Sequence, residues 1–302
     1  MSSEEKTPAT TLQPIPQEAF DWYDEYAHGI IDRRTFIGRL STLTTAAVTL
    51  PFLMNALMPN YSQAEQVSFN DSDIKATYVE FPSPKGHGDG RGYLVAPTSA
   101  KGQLPMVLVV HENRGLNPYI KDVARRLGKK GFIAFAPDAL YPSGGYPGND
   151  DEGRAMQRAL DKGKLEQDFI AAAKFLKVHK MGNGKLGSVG FCFGGYVVNM
   201  LAAAAPDIIN AGVPFYGTPA VKEIRKNIKA PLLIQSAELD RRVNASWAEY
   251  ETELKSIGAD YARYVYPKTN HGFHNDSTSR YDEVNAELAW KRTVTFFEKH
   301  LL

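Results

Sequence analysis

Apolar positions change their spacing near residue 67 of this 302-residue chain, and from there short apolar runs alternate with stretches of helical period. Ile74–Phe81 and Gly92–Ala96 read as an opening antiparallel pair. Met106–Val110 is a continuous apolar run, as expected of a strand buried on both faces. Tyr119–Lys130 has helical spacing and ends at Gly131; Phe132–Ala136 is a second buried strand, stopped by Pro137 and Asp138. The turn-rich stretch 141–148 predicts a surface loop. Helical spacing returns over Lys164–Val178, followed by a strand at Leu186–Phe191 and a helix at Tyr196–Ala205. Strands at Ile208–Phe215, Pro231–Gln235 and Tyr261–Tyr266, with helices at Ala245–Ile257 and Val284–His300, complete the alternation. Such alternation predicts an α/β domain over residues 67–302, with a mostly parallel sheet covered by helices on both faces. Ligands in such sheets bind at the carboxyl ends of the strands.

Residues 1–66 do not fit that alternation and form an N-terminal extension. A polar, acidic stretch leads to Arg33 and Arg34, with Phe36 two places on, then to an uncharged apolar run from Leu40 to Met58. Paired arginines before an apolar run suit a twin-arginine export signal. The acids before them (Glu4, Glu5, Glu18, Asp21, Asp24, Glu25), together with Pro51 and Asn55 in the run, suit a helix packed on the domain surface or in a homodimer contact. Both readings stay open, and with them a periplasmic or a cytoplasmic location. The run barely reaches the ~20 apolar residues that a membrane span needs, so no stable span is expected.

A formal net charge of +1 does not suggest a nucleic-acid partner. The single cysteine precludes an intramolecular disulfide and draws attention to its own surroundings. Cys192 sits in Gly190-Phe-Cys-Phe-Gly-Gly195, between a predicted strand and a predicted helix. This is the Gly-x-nucleophile-x-Gly turn, in which glycines let strand and helix approach closely. A helix start also favours thiolate over thiol. Asp240 follows the next-to-last strand, where an acid can orient a histidine, although it could cap the following helix and Glu238 is a rival. His271 follows the last strand in Asn270-His-Gly-Phe-His274, and glycine beside it suits a loop that presents the ring closely; His274 is the alternative base. The His-x-x-His spacing alone makes a weak metal site, and no metal or organic cofactor is expected. Nucleophile, acid and histidine in that order, each after its own strand, is the α/β-hydrolase order of parts.

From about residue 68 onward the chain resembles the dienelactone hydrolases, or carboxymethylenebutenolidases. The resemblance rests on Gly190–Gly195, the Asp240 segment, His271-Gly-Phe273 and His111-Glu-Asn-Arg-Gly-Leu-Asn117. With Tyr26-Ala-His-Gly29 in the extension, the pattern is closest to a bacterial branch of that family. The resemblance implies a hydrolase acting on a small-molecule ester or lactone through Cys192, Asp240 and His271. It further implies that Glu112 tunes the thiol and that the backbone amides of Phe193 and Asn113 form the oxyanion hole. Pocket candidates are Arg114, Tyr141, Tyr146, Phe273 and His274. One departure stands out: the best-known members grip a substrate carboxylate with two arginines. Here the first region reads Tyr141–Tyr146 and the second position is Asn275, so a clamp would have to come from Arg114, Arg154, Arg241 or Arg242. Thioester or polymer-ester hydrolysis, and a binding protein without turnover, are the alternatives.

Overall fold

A computed structural model describes residues 15–46, 48–62 and 64–302. The polar opening, with Glu4 and Glu5, lies outside the described residues. The chain divides into two units, Met1–Met58 and Pro59–Leu302.

Among the described residues the first unit contains three short helices, α1 (Gln17–Ala27), α2 (Arg33–Ser41) and α3 (Leu50–Leu57). Asp32 caps α2 by accepting from the Thr35 amide at 2.7 Å, so Arg33 and Arg34 form its first turn. Ala19, Tyr23, Ala27, Phe36, Leu40 and Leu57 form the unit's own apolar core. The apolar run is therefore not one helix: α2 ends at Ser41, and α3 begins after Thr49, which accepts from the Phe52 amide. Among the described residues no helix is long and apolar enough to cross a membrane.

The second unit begins at Pro59, and described residues of the segment before Ile74 pack onto it. The Tyr61 hydroxyl donates to Asp150 at 2.9 Å, and the Gln66 and Val67 amides donate to the Asp122 carboxylate. The strands are β1 (Ile74–Ser83), β2 (Gly88–Pro97), β3 (Leu104–Val110), β4 (Ile133–Pro137), β5 (Gly182–Phe191), β6 (Ala211–Phe215), β7 (Leu232–Ala237) and β8 (Tyr261–Tyr266). The helices are α4 (Pro118–Lys129), α5 (Asp150–Ala159), α6 (Lys162–Lys177), α7 (Phe193–Ala204), α8 (Lys222–Arg225), α9 (Arg241–Asn244), α10 (Trp247–Ser256) and α11 (Glu283–Leu301).

All eight strands form one sheet in the order β1-β2-β4-β3-β5-β6-β7-β8. The β1–β2 and β2–β4 pairings are antiparallel; every pairing from β4 to β8 is parallel. Alternation along β3 explains its unbroken apolar run. Val107 and Val109 enter a core with α4 and α11, whereas Met106, Leu108 and Val110 enter a core with α6, α7 and α10. The expected fold is the observed one.

Candidate active site

Glu112, Cys192, Tyr216, Asp240 and His271 all lie just past the carboxyl ends of their strands, β3, β5, β6, β7 and β8. Cys192 adopts φ 58° and ψ −113° between β5 and α7, a backbone conformation that L residues rarely take. Close approach enforces it. A Cβ on Gly190 would strike the Gly194 carbonyl, one on Gly194 the Val110 carbonyl, and one on Gly195 the Phe215 carbonyl. The glycines that flagged the motif are thus required by backbone contact on three sides, and the sulfur is held at the start of a helix.

His271 Nδ1 lies 2.6 Å from Asp240 Oδ2 and 3.4 Å from the Arg242 guanidinium. The shorter contact governs: Nδ1 carries the proton and donates it to the carboxylate. Cys192 Sγ lies within 4.8 Å of a His271 ring nitrogen. Asp240 also accepts from the Val243 amide through Oδ1 at 3.1 Å, so it both orients the histidine and caps α9. Glu238 is exposed and accepts from the Lys268 amide instead. Gly272, at φ 87°, keeps the loop tight; a Cβ there would press on the Arg280 guanidinium at 3.1 Å.

His274 does not share this role. It is fully buried, its Nδ1 pairs with the Tyr119 hydroxyl at 2.7 Å, and its ring packs on Phe191, Phe215 and Trp290. Burial, reinforced by Arg126, lowers its pKa to about 3. The two histidines of the His-x-x-His spacing engage different partners.

Two further pocket candidates engage neighbours of their own. Phe273 has no exposed surface and packs among Tyr216, Phe215 and Tyr266, because its place after Gly272 points it into the core. Tyr141 begins a 3-10 turn, and its hydroxyl reaches Glu80 at 2.9 Å with Arg91 over its ring. It belongs to the β1–β2 edge of the sheet.

Glu112 is buried beside Arg114 at 3.3 Å and accepts from Asn275 Nδ2 at 3.0 Å. Burial raises its pKa; Arg114 and Arg280 counter this, while Cys192 and Asp150 add to it. Arg114 also donates to Asp150 at 2.7 Å, and Asp150 accepts from both Tyr61 and Tyr146. Of the four arginines considered for a clamp, Arg114 is committed to this network. Arg154 is buried against Asp151, Arg241 is exposed, and Arg242 is half-buried beside His271. Asn113 and Phe193 are partly exposed at the ends that carry them.

Sequence reasoning missed Tyr216 and Arg280. Tyr216 is buried at φ 38°, its ring 4.9 Å from that of His271 and its hydroxyl without a hydrogen-bond partner among the described residues. Burial, together with Glu112 and Cys192, raises its pKa well above normal, so it remains a donor. A tyrosine closing a strand gives no local signal of this placement.

The sheet, the elbow and the strand-end acid and histidine define an α/β-hydrolase. The family model of the dienelactone hydrolases matches residues 91–301, so the chain belongs to the dienelactone hydrolase family and is an esterase-type hydrolase. A second model, described as YqhI-like, matches residues 7–45. The protein usf of Aquifex pyrophilus is 36% identical over 221 residues, covering 70% of this chain and 94% of that one. The Escherichia coli hydrolase fragment YghX is 60% identical over 109 residues, 36% of this chain and 93% of that one. Among solved structures, a Klebsiella pneumoniae protein assigned as a dienelactone hydrolase superposes with TM-score 0.65 at 25% identity. That match covers 74% of this chain and 99% of the other.

Proposed function

We propose that the protein hydrolyses a small ester or lactone through a Cys192–His271–Asp240 triad. The observation that carries this reading is the 2.6 Å His271–Asp240 contact beside a cysteine held in a strained strand-to-helix turn. The Cys192 thiolate attacks the carbonyl carbon, and the amides of Phe193 and Asn113 receive the developing oxyanion. The tetrahedral adduct collapses to an acyl-cysteine as the alcohol leaves with the proton that Glu112 took from the thiol, which returns Glu112 to its carboxylate. His271, oriented by Asp240, then takes a proton from water, whose oxygen attacks the acyl carbon and releases the acid and the thiol. Glu112 accepts the thiol proton before attack; its raised pKa suits a proton acceptor.

The test is hydrolysis of short-chain p-nitrophenyl esters and a lactone panel by wild type, Cys192→Ser and His271→Ala. Both variants are expected to lose at least about 100-fold in kcat/KM, the scale of a positioned acid–base group. A Cys192→Ser enzyme as active as wild type would sink the thiol mechanism.

A further inference from the structure

His111 directly follows β3 and precedes Glu112. The residue is fully buried. The Ala139 amide donates to its Nε2 at 3.2 Å, so that nitrogen is the acceptor. Burial lowers its pKa and keeps the ring neutral, which leaves the proton on Nδ1. The Glu112 carbonyl oxygen lies 2.6 Å from Nδ1 and receives that proton.

The Glu112 carbonyl and the Asn113 N–H are opposite ends of one peptide plane, and no cis bond occurs among the described residues. In a trans peptide the two groups point in opposite directions, so whatever fixes the carbonyl also aims the N–H. A hydrogen bond to the carbonyl further polarises the peptide and strengthens its N–H as a donor. The same imidazole stacks on Phe193, with ring centroids 6.5 Å apart and planes 29° apart. Phe193 carries the other proposed oxyanion donor.

We propose that His111 is a positioning residue for the oxyanion hole: its Nδ1–H bond aims the Asn113 amide, and its ring braces Phe193. The inference rests on the acyl-transfer reading given above. The bland role for His111 is a tie between the ends of β3 and β4, and the experiment separates the two.

Wild type, His111→Phe and His111→Gln are compared as full chains. Each is assayed for p-nitrophenyl ester hydrolysis and for alkylation of Cys192 by iodoacetamide. Displacement at a saturated carbon develops no oxyanion, so alkylation reports the thiol alone. His111→Phe should lower kcat about 10- to 100-fold, below the cost of losing a donor outright, with KM and the alkylation rate within about twofold. His111→Gln, which can both donate and accept, should recover most of the loss. A His111→Phe enzyme with wild-type kcat overturns the proposal, as does a parallel fall in hydrolysis and alkylation.

Nitrogen-15 NMR of the wild type gives a readout that needs neither turnover nor a folded Phe variant. An Nδ1–H tautomer at His111, with an Asn113 amide resonance shifted in His111→Gln, supports the positioning role. An Nε2–H tautomer or an unmoved Asn113 amide overturns it. A wild type inert on every ester would defeat the proposed function, while these resonances would still decide the role of His111.

Discussion

Acidification should destabilise the protein through His274, which makes no contact with the proposed chemistry. In the folded chain its pKa is about 3, against an ordinary value of 6.5. The unfolded state therefore binds more protons between those two values, and stability rises with pH across that window. Its contribution is fully present above about 6.5 and is lost as pH falls toward 3. Going from pH 7.5 to 5 crosses roughly 1.5 units of the window at about 1.4 kcal/mol each, a loss of about 2 kcal/mol. The cause is local: the ring lies against Tyr119, Phe191, Phe215 and Trp290, with Arg126 nearby, and a proton there would be both desolvated and repelled. Urea denaturation of wild type and His274→Leu at both pH values measures the effect, since the other titrating groups are common to both. Whatever the variant's starting stability, its loss on acidification should be smaller by about 2 kcal/mol. Equal losses would mean that His274 is solvated or charged in the fold, and the exclusion of this histidine as the base would fall with it.

Two substitutions test the assignment of the acids. Asp240→Asn keeps a side-chain oxygen for the Val243 amide but loses the charge that holds His271, so the melting temperature should barely move while kcat falls about 10³- to 10⁴-fold. A variant equally active and equally stable would leave Asp240 a helix cap only. Glu112→Gln removes the proposed acceptor of the thiol proton, so iodoacetamide alkylation of Cys192 at pH 7 should slow roughly 10-fold or more. Unchanged or faster alkylation would mean that Glu112 stays ionised and acts on Cys192 by repulsion.

Features encoded by local spacing were legible in the sequence; those made by distant approach were not. The elbow was readable because three glycines within six residues answer three backbone collisions. The strand at Met106–Val110 was readable because burial on both faces erases alternation. Asp240 could be read as a cap or as an orienting acid, and it contacts both the Val243 amide and His271, one oxygen for each. By contrast, α5 was hidden behind the turn-rich residues before it, and its own sequence is polar and charged. The first four residues of β5 contain Gly182 and Gly184, which resemble a turn. No spacing could reveal that Asn275 reaches Glu112 across 163 residues, or that Arg280 packs against Gly272. In the extension, Pro51 stands out in the apolar run and falls in the first turn of α3 after the Thr49 cap, so the run divides between helices.

The charges near the thiol bear on how Cys192 can ionise at all. Two guanidiniums, Arg114 and Arg280, act on Glu112 against two other anionic influences, Asp150 and Cys192. With Glu112 and Asp150 both charged, these two guanidiniums are already matched by two carboxylates. Releasing the thiol proton to bulk water would then leave a net buried negative charge, which is costly in proportion to its desolvation. Passing that proton to Glu112 keeps the balance. The carboxyl already sits above its ordinary pKa through burial, and neutralising it removes the charge that opposes the thiolate. In the proposed mechanism His271 need not act at this stage, and its bond to Asp240 leaves Nε2 to take the proton of the attacking water. In the proposed mechanism the buried acid and the histidine thus serve two different protons, one from sulfur and one from water.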